Sequence, residues 1–376
     1  MKLPEIVDQT KAYYCLDCGI CTGSCPVSRV TPDFSPRLMV EKALINQNEN
    51  PLEDVNIWSC LSCGQCSTRC PSKIDYPEFV RMVREEAVRQ GKGGVAAHRG
   101  LFQQIMRLQT LDVKQSKTEW AREAGRISAS GDTYYFVGCS PFFDVEFRED
   151  WNLDVMDGPK GVLKLLNGIG IEPVISDDER CCGHDLLWNG DRENFAKLAR
   201  RNIEVIKSLG CKRVVFQCPE GYVTFKKYYP EIVGNLDLEL VHFYDLLAEE
   251  QKKGTFKLGP LEGVVTYHDP CRLGRQAGIM DAPRNLISGI PGITLTEMEH
   301  NRASGLCCGT SAWMGCSSCS KIIQKNRLVE AVATGADTLV TACPKCRVHL
   351  NCALKDMDME IKIKDLNDLL AQSLQS

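Results

Sequence analysis

The sequence CLDCGICTGSCP at residues 15–26 decides the fold of the amino-terminal part, and CLSCGQCSTRCP repeats its spacing at residues 60–71. In each run three cysteines are separated by two residues, and a fourth follows after three more residues, directly before a proline. Three thiolates at this spacing can wrap one face of a cubane cluster, while the fourth reaches a second cluster. Zinc binds only four thiolates per ion, so a zinc site would not explain the third cysteine at the same spacing or the proline. The two runs therefore predict a pair of [4Fe–4S] cubane clusters.

The spacing is that of bacterial two-cluster ferredoxins, in which the last cysteine of each run ligates the other cluster. The predicted ligands are Cys15, Cys18, Cys21 and Cys70 for the first cluster, and Cys60, Cys63, Cys66 and Cys25 for the second. Two cubanes side by side suit a relay of single electrons rather than substrate chemistry. The predicted dicluster domain covers residues 1–92 and is α-helical or α+β.

Cysteine is the unusual feature of the composition, with 21 among 376 residues. Disulfide frameworks belong to small secreted domains, whereas the first residues are acidic and lack the apolar run of a secretion signal. We therefore expect a cytoplasmic protein whose cysteines bind metal. No stretch of about twenty apolar residues occurs, so we expect no membrane span, and any attachment to the cytoplasmic membrane would be made through a partner. The net charge of −4 gives no reason to expect nucleic acid as a partner.

A helical connector is predicted at residues 93–132, where Leu101, Ile105, Leu108 and Leu111 recur at helical spacing and predict a helix that packs the first domain onto the next. Beyond it, short β-rich runs alternate with amphipathic helices, which predicts parallel sheets with crossover helices. The predicted strands are Tyr134–Val137, Glu172–Ile175, Arg213–Gln217, Val264–Tyr267, Thr294–Glu297 and Thr338–Thr341.

The α/β part is an internal repeat of two half-domains, residues 133–258 and 259–376. Corresponding cysteines lie about 132, 126 and 125 residues apart in the two halves. They are Cys139, Cys181, Cys182 and Cys218 in the first half, and Cys271, Cys307, Cys308, Cys343 and Cys346 in the second. Each group follows a predicted strand, which places it at the carboxyl edge of a sheet, where ligands bind in open α/β folds.

The tandem order Cys…Cys-Cys-Gly…Cys-Pro-x-Cys resembles the paired CCG domain of the heterodisulfide reductase family. With the ferredoxin domain in front, the whole chain is similar to the D-type subunit of that family, a fusion of its C and B subunits. The resemblance implies a dicluster ferredoxin domain followed by α/β tandem CCG repeats. It also implies that five cysteines of a CCG domain hold a non-cubane [4Fe–4S] cluster. In the family, such clusters cleave the disulfide between coenzyme M and coenzyme B in two one-electron steps.

The second repeat matches the five-cysteine pattern completely, with Cys271, Cys307, Cys308, Cys343 and Cys346. The adjacent Cys307 and Cys308 cannot both serve one corner of a cube, but they can bridge separate irons of an opened cluster and so leave iron sites for a substrate thiolate. We therefore place catalysis at this repeat. His268 is a candidate proton donor to a departing thiolate; the alternative is a hydrogen bond to its own loop.

The first repeat departs from the pattern, because Gly221 stands where the last cysteine would be. The four remaining thiols suffice for zinc, so three outcomes stay open: an altered cluster, a zinc ion, or no metal. His184, next to this degraded site, is more readily explained as a structural residue. Cys316 and Cys319 form an additional Cys-x2-Cys, interpreted either as a redox pair or spare ligands, or as inert buried thiols.

Several other residues near the second repeat have both a functional and a structural interpretation. Trp313 and Met314 are expected to pack around the cluster rather than to bind substrate. The basic side chains of Lys345, Arg272 and Arg275 are candidates for holding an anionic substrate tail, the alternative being ordinary surface charge.

These assignments favour an oxidoreductase subunit in which electrons pass between the cubanes and the cluster of the second repeat. There a small disulfide is reduced or, in reverse, a dithiol is oxidised. The alternative is an electron-transfer subunit without turnover of its own, as relatives of the family are in complexes of sulfur metabolism and aromatic acyl-thioester reduction. No Gly-x-Gly-x-x-Gly follows a strand, so we expect other subunits to supply a flavin-, haem- or ferredoxin-containing donor.

Overall fold

The computed structural model describes residues 2–31, 33–45 and 50–375. Its amino-terminal domain is helical, and no strand occurs in the part of residues 2–92 that is described. The helices are α1 Leu3–Gln9, α2 Ile20–Ser24, α3 Pro36–Ile45, α4 Gln65–Arg69 and α5 Tyr76–Arg89, with 3-10 turns at Ala12–Tyr14 and Val55–Ser59. The longest, α5, begins where the Asp75 carboxylate accepts the Glu78 backbone N–H, and it buries Phe79 and Val83 against the cysteine runs.

The α/β part contains two parallel sheets, as the alternating pattern predicts. The first has the order β1 Thr133–Phe136, β2 Arg213–Phe216 and β3 Glu239–His242. The second has the order β5 Ile293–Thr296, β4 Gly263–His268, β6 Thr338–Thr341 and β7 Lys362–Asp365. Within the registers, Phe136 lies opposite Phe216 and His268 opposite Thr341, so equivalent strand ends meet at the carboxyl edge of each sheet.

Helices cover both sheets and connect their strands. They are α6 Leu101–Leu108, α7 Ala121–Ala124, α8 Ser140–Trp151, α9 Asp157–Gly168, α10 His184–Trp188, α11 Arg192–Ser208, α12 Pro219–Val223, α13 Pro230–Val233, α14 Phe243–Lys253, α15 Asp281–Ser288, α16 Ser318–Val332, α17 Pro344–Leu354 and α18 Leu366–Ser373. Further 3-10 turns lie at Ala97–Gly100 and Arg302–Ser304, and π-helical turns at Thr224–Tyr228 and Arg272–Gln276.

The two half-domains interlock through their helices. The last helix, α18, packs against α9 of the first half, and α14 of the first half packs against α15 of the second. The α9–α18 approach is so close that a Cβ at Gly161 would lie 2.5 Å from the Asn367 carbonyl oxygen. Only glycine allows this spacing, and the two sheets are thereby held in one fixed arrangement.

The strand predictions fail at three places. Glu172–Ile175 is not a strand: Val174 forms only isolated bridges to Ser128 and Tyr134. The strands β3 and β7 were not predicted, and both lie at sheet edges. Because Val174 forms only bridges, Cys181 does not follow a strand. Cys307 lies in a loop well beyond the end of β5.

The connector helix forms, but it packs through a different face from the predicted one. In α6 the buried side chains are Phe102 and Met106, whereas Leu101 and Leu108 are exposed, as is Leu111 beyond the helix end. The ring of Phe102 stacks on Trp313 of the second half at a centroid distance of 4.1 Å. Aromatic packing thus replaces the leucine stripe as the reason for the contact.

Candidate metal centres

Two cavities lie side by side in the dicluster domain, and thiols line both. Cys15, Cys18, Cys21 and Cys70 line one of them, and Cys25, Cys60, Cys63 and Cys66 line the other. Cys66 also reaches the first cavity. The structure therefore brings together each predicted set of four, with the last cysteine of one run beside the first three of the other.

A glycine sets the local backbone in each cysteine run. Gly19 and Gly64 have φ values of 76° and 77° and stand directly before the short helices α2 and α4. No atom would obstruct a Cβ at either position, so it is the left-handed backbone that selects glycine here. The turn lets the helix that follows carry the third cysteine of the run back toward the cavity.

The thiols around the second cavity are chemically suited to binding metal. Burial raises the pKa of Cys25 to about 12, with the nearby Cys63 charge adding to the effect, and it raises the pKa of Cys66 well above its usual range. A set of buried thiols that are costly to ionise separately is stabilised when cationic iron binds all of them as thiolates. The donor set and its surroundings therefore fit a cluster.

The five cysteines of the second repeat converge from three segments. Cys271 follows β4, Cys307 and Cys308 lie in the loop before α16, and Cys343 and Cys346 start α17. The Sγ atoms of Cys346 and Cys308 are 3.3 Å apart, and Cys307 contacts both Cys271 and Cys308. Contacts with the Cys307 and Cys346 thiols lower the pKa of Cys308 well below its usual range.

Gly309 permits the sharp turn that presents the cysteine pair of the second repeat. Its φ is 82°, and a Cβ would lie 2.8 Å from both the Ser320 carbonyl oxygen and the Gln324 side chain. Both the backbone conformation and the close approach of α16 therefore exclude other residues.

His268 stands at the end of β4 and is completely buried. Its Nδ1 accepts a hydrogen bond from Arg327 Nε at 3.0 Å, which places the ring proton on Nε2. A ring nitrogen of His268 and the sulfurs of Cys308 and Cys346 lie within 4.8 Å of one another. The His268 ring therefore hydrogen-bonds Arg327 rather than its own loop. Its Nε2–H group faces the sulfur atoms of Cys308 and Cys346.

His349 is a second histidine at this site, and it was not among the residues predicted from the sequence. Its Nδ1 lies 3.6 Å from Cys308 Sγ. The available signal was its position on α17, three residues after Cys346, which places both side chains on one helix face.

The dicluster domain contacts the second repeat directly. The side chains of Cys63 and Cys307 are in contact. This contact, followed by the Arg275 and Arg272 charges, lowers the pKa of Cys63 to about 5. Arg272 donates to the Ser62 carbonyl oxygen at 2.9 Å, and Arg275 donates to that of Cys63 at 2.7 Å. The interpretation of Arg272 as surface charge is therefore wrong, since its side chain is buried in a domain interface.

Arg84 provides an equivalent link between the dicluster domain and the first repeat. Its guanidinium donates to the carbonyl oxygens of Ile57, Cys60 and Trp188 at 2.6 to 3.1 Å. Burial lowers the pKa of Arg84 to about 10. One buried cation thus ties the backbone beside Cys60 to the end of α10.

In the first repeat, Cys139, Cys181, Cys182 and Cys218 line a single cavity. The sulfurs of Cys139 and Cys181 are 2.9 Å apart, and Cys218 contacts Cys343 of the other repeat. The cysteine groups of the two repeats therefore adjoin one another.

A buried ion-pair network also lines the cavity of the first repeat. Lys345, from the second repeat, pairs with Asp185 and with Glu220, whose oxygen lies 2.6 Å from Nζ. His184 lies beside it, with Nε2 3.4 Å from Glu220. Lys345 is therefore neither surface charge nor a free anion-binding group. The cavity that lacks a fifth cysteine, because Gly221 stands at that position, therefore contains the charged side chains of Glu220 and Lys345.

The thiols of Cys316 and Cys319 have different surroundings and do not line one site. Cys319 Sγ lies 3.4 Å from the Val30 carbonyl oxygen of the dicluster domain. Cys316 instead lines a small cavity together with Cys352, Trp313 and His349. Cys352 is a cysteine that the motif analysis did not single out, and Lys321 Nζ lies 2.7 Å from its sulfur.

Trp313 and Met314 are buried beside the second repeat, as expected for residues that pack around it. Ala312 and Trp313 have φ values of 53° and 52°, a left-handed conformation that is costly for both residue types. Hydrogen bonds from Gln103 to both carbonyl oxygens hold this segment. The Trp313 ring contacts His349 edge-on at 5.0 Å, so the strained segment fixes the wall around that histidine.

Two protein families match the chain. The 4Fe-4S dicluster domain family matches residues 11–74, and the Cysteine-rich domain family matches residues 133–226 and 265–351. The two families account for the ferredoxin-type domain and for both repeats, so the chain carries domains of the iron–sulfur type. Among the described residues, no helix combines the length and apolar character that crossing a bilayer requires.

Several relatives carry the names of redox proteins. The D-type subunit of dihydromethanophenazine:CoB–CoM heterodisulfide reductase from Methanosarcina mazei is 29% identical over 69% of this chain and 63% of its own length, slightly under two thirds. EtfAB:quinone oxidoreductase from Syntrophomonas wolfei is 27% identical over 64% of this chain and 34% of its own length. A crystal structure of a hypothetical protein from Helicobacter pylori covers 100% of this chain and 77% of its own, with a TM-score of 0.61 and 11% identity. That likeness concerns the fold alone.

Proposed function

We propose that this chain, which is similar to the D-type subunit of heterodisulfide reductase and carries the domains of an iron–sulfur oxidoreductase, transfers electrons between two cubanes and a third cluster site at which a small disulfide is reduced. The residues that would hold this third cluster are Cys271, Cys307, Cys308, Cys343 and Cys346. Such clusters, when bound, accept and release single electrons. The same parts serve the reverse reaction, oxidation of a dithiol.

The observation that carries the proposal is the contact between Cys63 and Cys307. One residue belongs to the second cubane set and the other to the second repeat. Arg272 and Arg275 fix the backbone on the dicluster side of this contact. A relay domain and a catalytic repeat that touch through their ligand residues need no further carrier between them.

The histidines supply the protons that the reaction needs. Reduction of a disulfide consumes two electrons and two protons and yields two thiols. His268 and His349 both lie against Cys308, and His268 has its ring N–H on the nitrogen that does not accept from Arg327. We assign to them the protonation of the two departing sulfurs.

We propose no electron-transfer step at the first repeat. Its cavity is lined by four thiols and by the Lys345–Glu220 ion pair, and a Cβ at Gly221 would meet the rings of Phe216 and Phe136. We assign it the role of fixing Lys345, and with it the start of α17, which carries Cys343 and Cys346.

The second candidate is an electron-transfer subunit that turns over no substrate itself. The similarity to EtfAB:quinone oxidoreductase favours it, because that name describes electron transfer to a quinone. In either case we propose that the chain works in the cytoplasm with other subunits. These would contain the flavin, haem or ferredoxin that donates electrons, and they would make any contact with the membrane.

Anaerobic purification of the full chain tests both candidates. We expect about twelve irons per chain, which corresponds to three four-iron clusters, and oxidation of a dithionite-reduced viologen dye when a mixed alkyl disulfide is added. About eight irons, or dye-reduced protein that leaves the disulfide intact, would favour the electron-transfer subunit. A colourless protein that contains zinc would contradict both.

A further inference from the structure

A groove of about 570 Å³ opens where the dicluster domain meets both half-domains. The dicluster domain contributes residues on both sides of α4, including Gly64 and Lys73. The first half-domain contributes Trp188 and Tyr222, and the second contributes Arg275. No cysteine lines the groove among the described residues, so it is distinct from the proposed cluster sites, although Gly64 directly follows Cys63.

Both π-helical turns of the described chain border this groove. Thr224–Tyr228 supplies Lys226, and Arg272–Gln276 supplies Arg275. A π-helical turn is a rare widening of the helix and occurs frequently at functional sites. One π-helical turn from each repeat, at different positions in the two repeats, thus presents its side chains to a single space.

The groove is basic in a protein whose overall charge is negative. Lys73, Lys226, Lys227 and Arg275 line it, against the single acid Asp75. The Asp75 carboxylate is already used, because it caps α5 and lies 3.3 Å from Lys227. Within residues 2–31, 33–45 and 50–375, Lys226 has only the Tyr222 hydroxyl within hydrogen-bonding distance, at 3.2 Å, and Lys73 forms no ion pair.

Two buried donors in the wall of the groove have no protein acceptor among the described residues. They are Trp188 Nε1 and Arg275 Nη2. Trp188 is only 1% exposed, and the other Arg275 nitrogens donate to carbonyl oxygens of Cys63 and Gly305 at 2.7 and 2.6 Å. Buried donors without acceptors cost free energy unless a ligand or water satisfies them.

We propose that this groove binds a small organic anion, with a carboxylate, phosphate or sulfonate group on an aromatic or apolar body. Arg275 and Trp188 donate to the oxyanion, the lysines supply the charge that attracts it, and the Trp188 and Tyr222 rings accommodate the body of the molecule. A small molecule is favoured over an acidic protein surface because the unpartnered donors are buried within the wall. The site does not depend on redox turnover.

Calorimetry on the anaerobically purified full chain tests this inference. The probes are benzoate, phenyl phosphate and benzenesulfonate, with neutral benzamide as the uncharged control. We expect at least one anion to bind, benzamide to bind at least tenfold more weakly, and the anion's affinity to fall as salt is raised. The tightest of the three anions identifies the oxyanion.

Variants connect the binding to the groove. Lys73→Gln combined with Lys226→Gln, and separately Trp188→Phe, should weaken the anion at least fivefold while iron content stays unchanged. The matched control is Lys207→Gln combined with Lys212→Gln, which removes two exposed lysines elsewhere and should leave binding as it was. Absence of anion binding, equal weakening in the control, or binding of an acidic carrier protein but of none of the three anions would overturn the inference.

Discussion

The side chain of Cys63 in the dicluster domain contacts the side chain of Cys307 in the second cysteine-rich half. About 240 residues of sequence separate them, yet no other element lies between the two thiols. Arg275 follows Cys271 by four residues and donates to the Cys63 carbonyl oxygen, so the same segment that carries one predicted ligand anchors another. The domain boundary is therefore the place where the two predicted redox centres come closest.

Cys63→Ala tests this boundary. We expect the variant to lose about four irons per chain, because one ligand of the second cubane set is gone. Reduction of the disulfide by reduced viologen should fall at least tenfold. Iron analysis and the rate of dye oxidation measure the two effects. Cys211→Ala is the control, since Cys211 is buried but lies outside every cysteine set described above; a Cys63→Ala protein with full iron content and full rate would contradict the assignment.

His268→Gln tests the proposed proton donor. The glutamine still fills the buried site but cannot place an acidic ring N–H against Cys308 and Cys346. We expect kcat for disulfide reduction to fall by about 100-fold, with KM and iron content unchanged. The control is His242→Gln, a buried histidine at the end of β3. If His268 served only to hold the cluster, iron would be lost together with the rate.

Much of the cysteine grouping could be predicted because it depends on local spacing. Three in-step cysteines and a following proline fix how a short loop surrounds a cavity, whatever the rest of the chain does. The alternation of strands and helices likewise predicted two parallel sheets. By contrast, His349 and the partners of Lys345 come from contacts between distant segments, and local spacing carries little information about those.

The failures at the level of elements have physical reasons. β3 and β7 are edge strands with charged residues, and Lys362 is exposed while Ile363 is buried. The alternation of apolar and charged residues in residues 361–364 was a usable signal, but it is too short to stand out. The prediction that Leu101 and Leu108 lie on the buried face of α6 was wrong, because an aromatic contact between Phe102 and Trp313 determines which face is buried.

Lys345→Met tests the ion-pair network of the first repeat. It leaves the buried carboxylates of Asp185 and Glu220 without their cation. Removing one partner of a buried ion pair costs about 3–5 kcal/mol, so the free energy of unfolding in urea should drop by about that amount. Combining it with Asp185→Asn and Glu220→Gln removes the unpaired charges and should restore most of the loss. A single variant as stable as the wild type would show that the network contributes no net stability.

Asp365 gives the protein a predictable dependence of stability on pH. Burial, followed by the nearby Asp157 charge, raises the pKa of Asp365 to about 7, while in the unfolded chain an aspartate has a pKa of about 3.9. Between these values the unfolded chain releases a proton that the folded chain keeps. The contribution of Asp365 is therefore fully present below about pH 4, is lost by up to about 1.4 kcal/mol per pH unit as the pH rises, and changes no further above about pH 7.

Asp365→Asn removes this titration but keeps the helix cap, because asparagine can also accept from the Asn367 N–H that Asp365 caps at 2.9 Å. We expect the variant to gain stability relative to the wild type as the pH is raised from 5 to 8, measured by urea unfolding at each pH without oxygen. Asp337→Asn is the control, since Asp337 lies at the opposite, amino-terminal end of its sheet, directly before β6. A difference between variant and wild type that is the same at pH 5 and pH 8 would mean that Asp365 is already ionised at pH 5, and that the charge of Arg347, which lowers the Asp365 pKa, outweighs its burial.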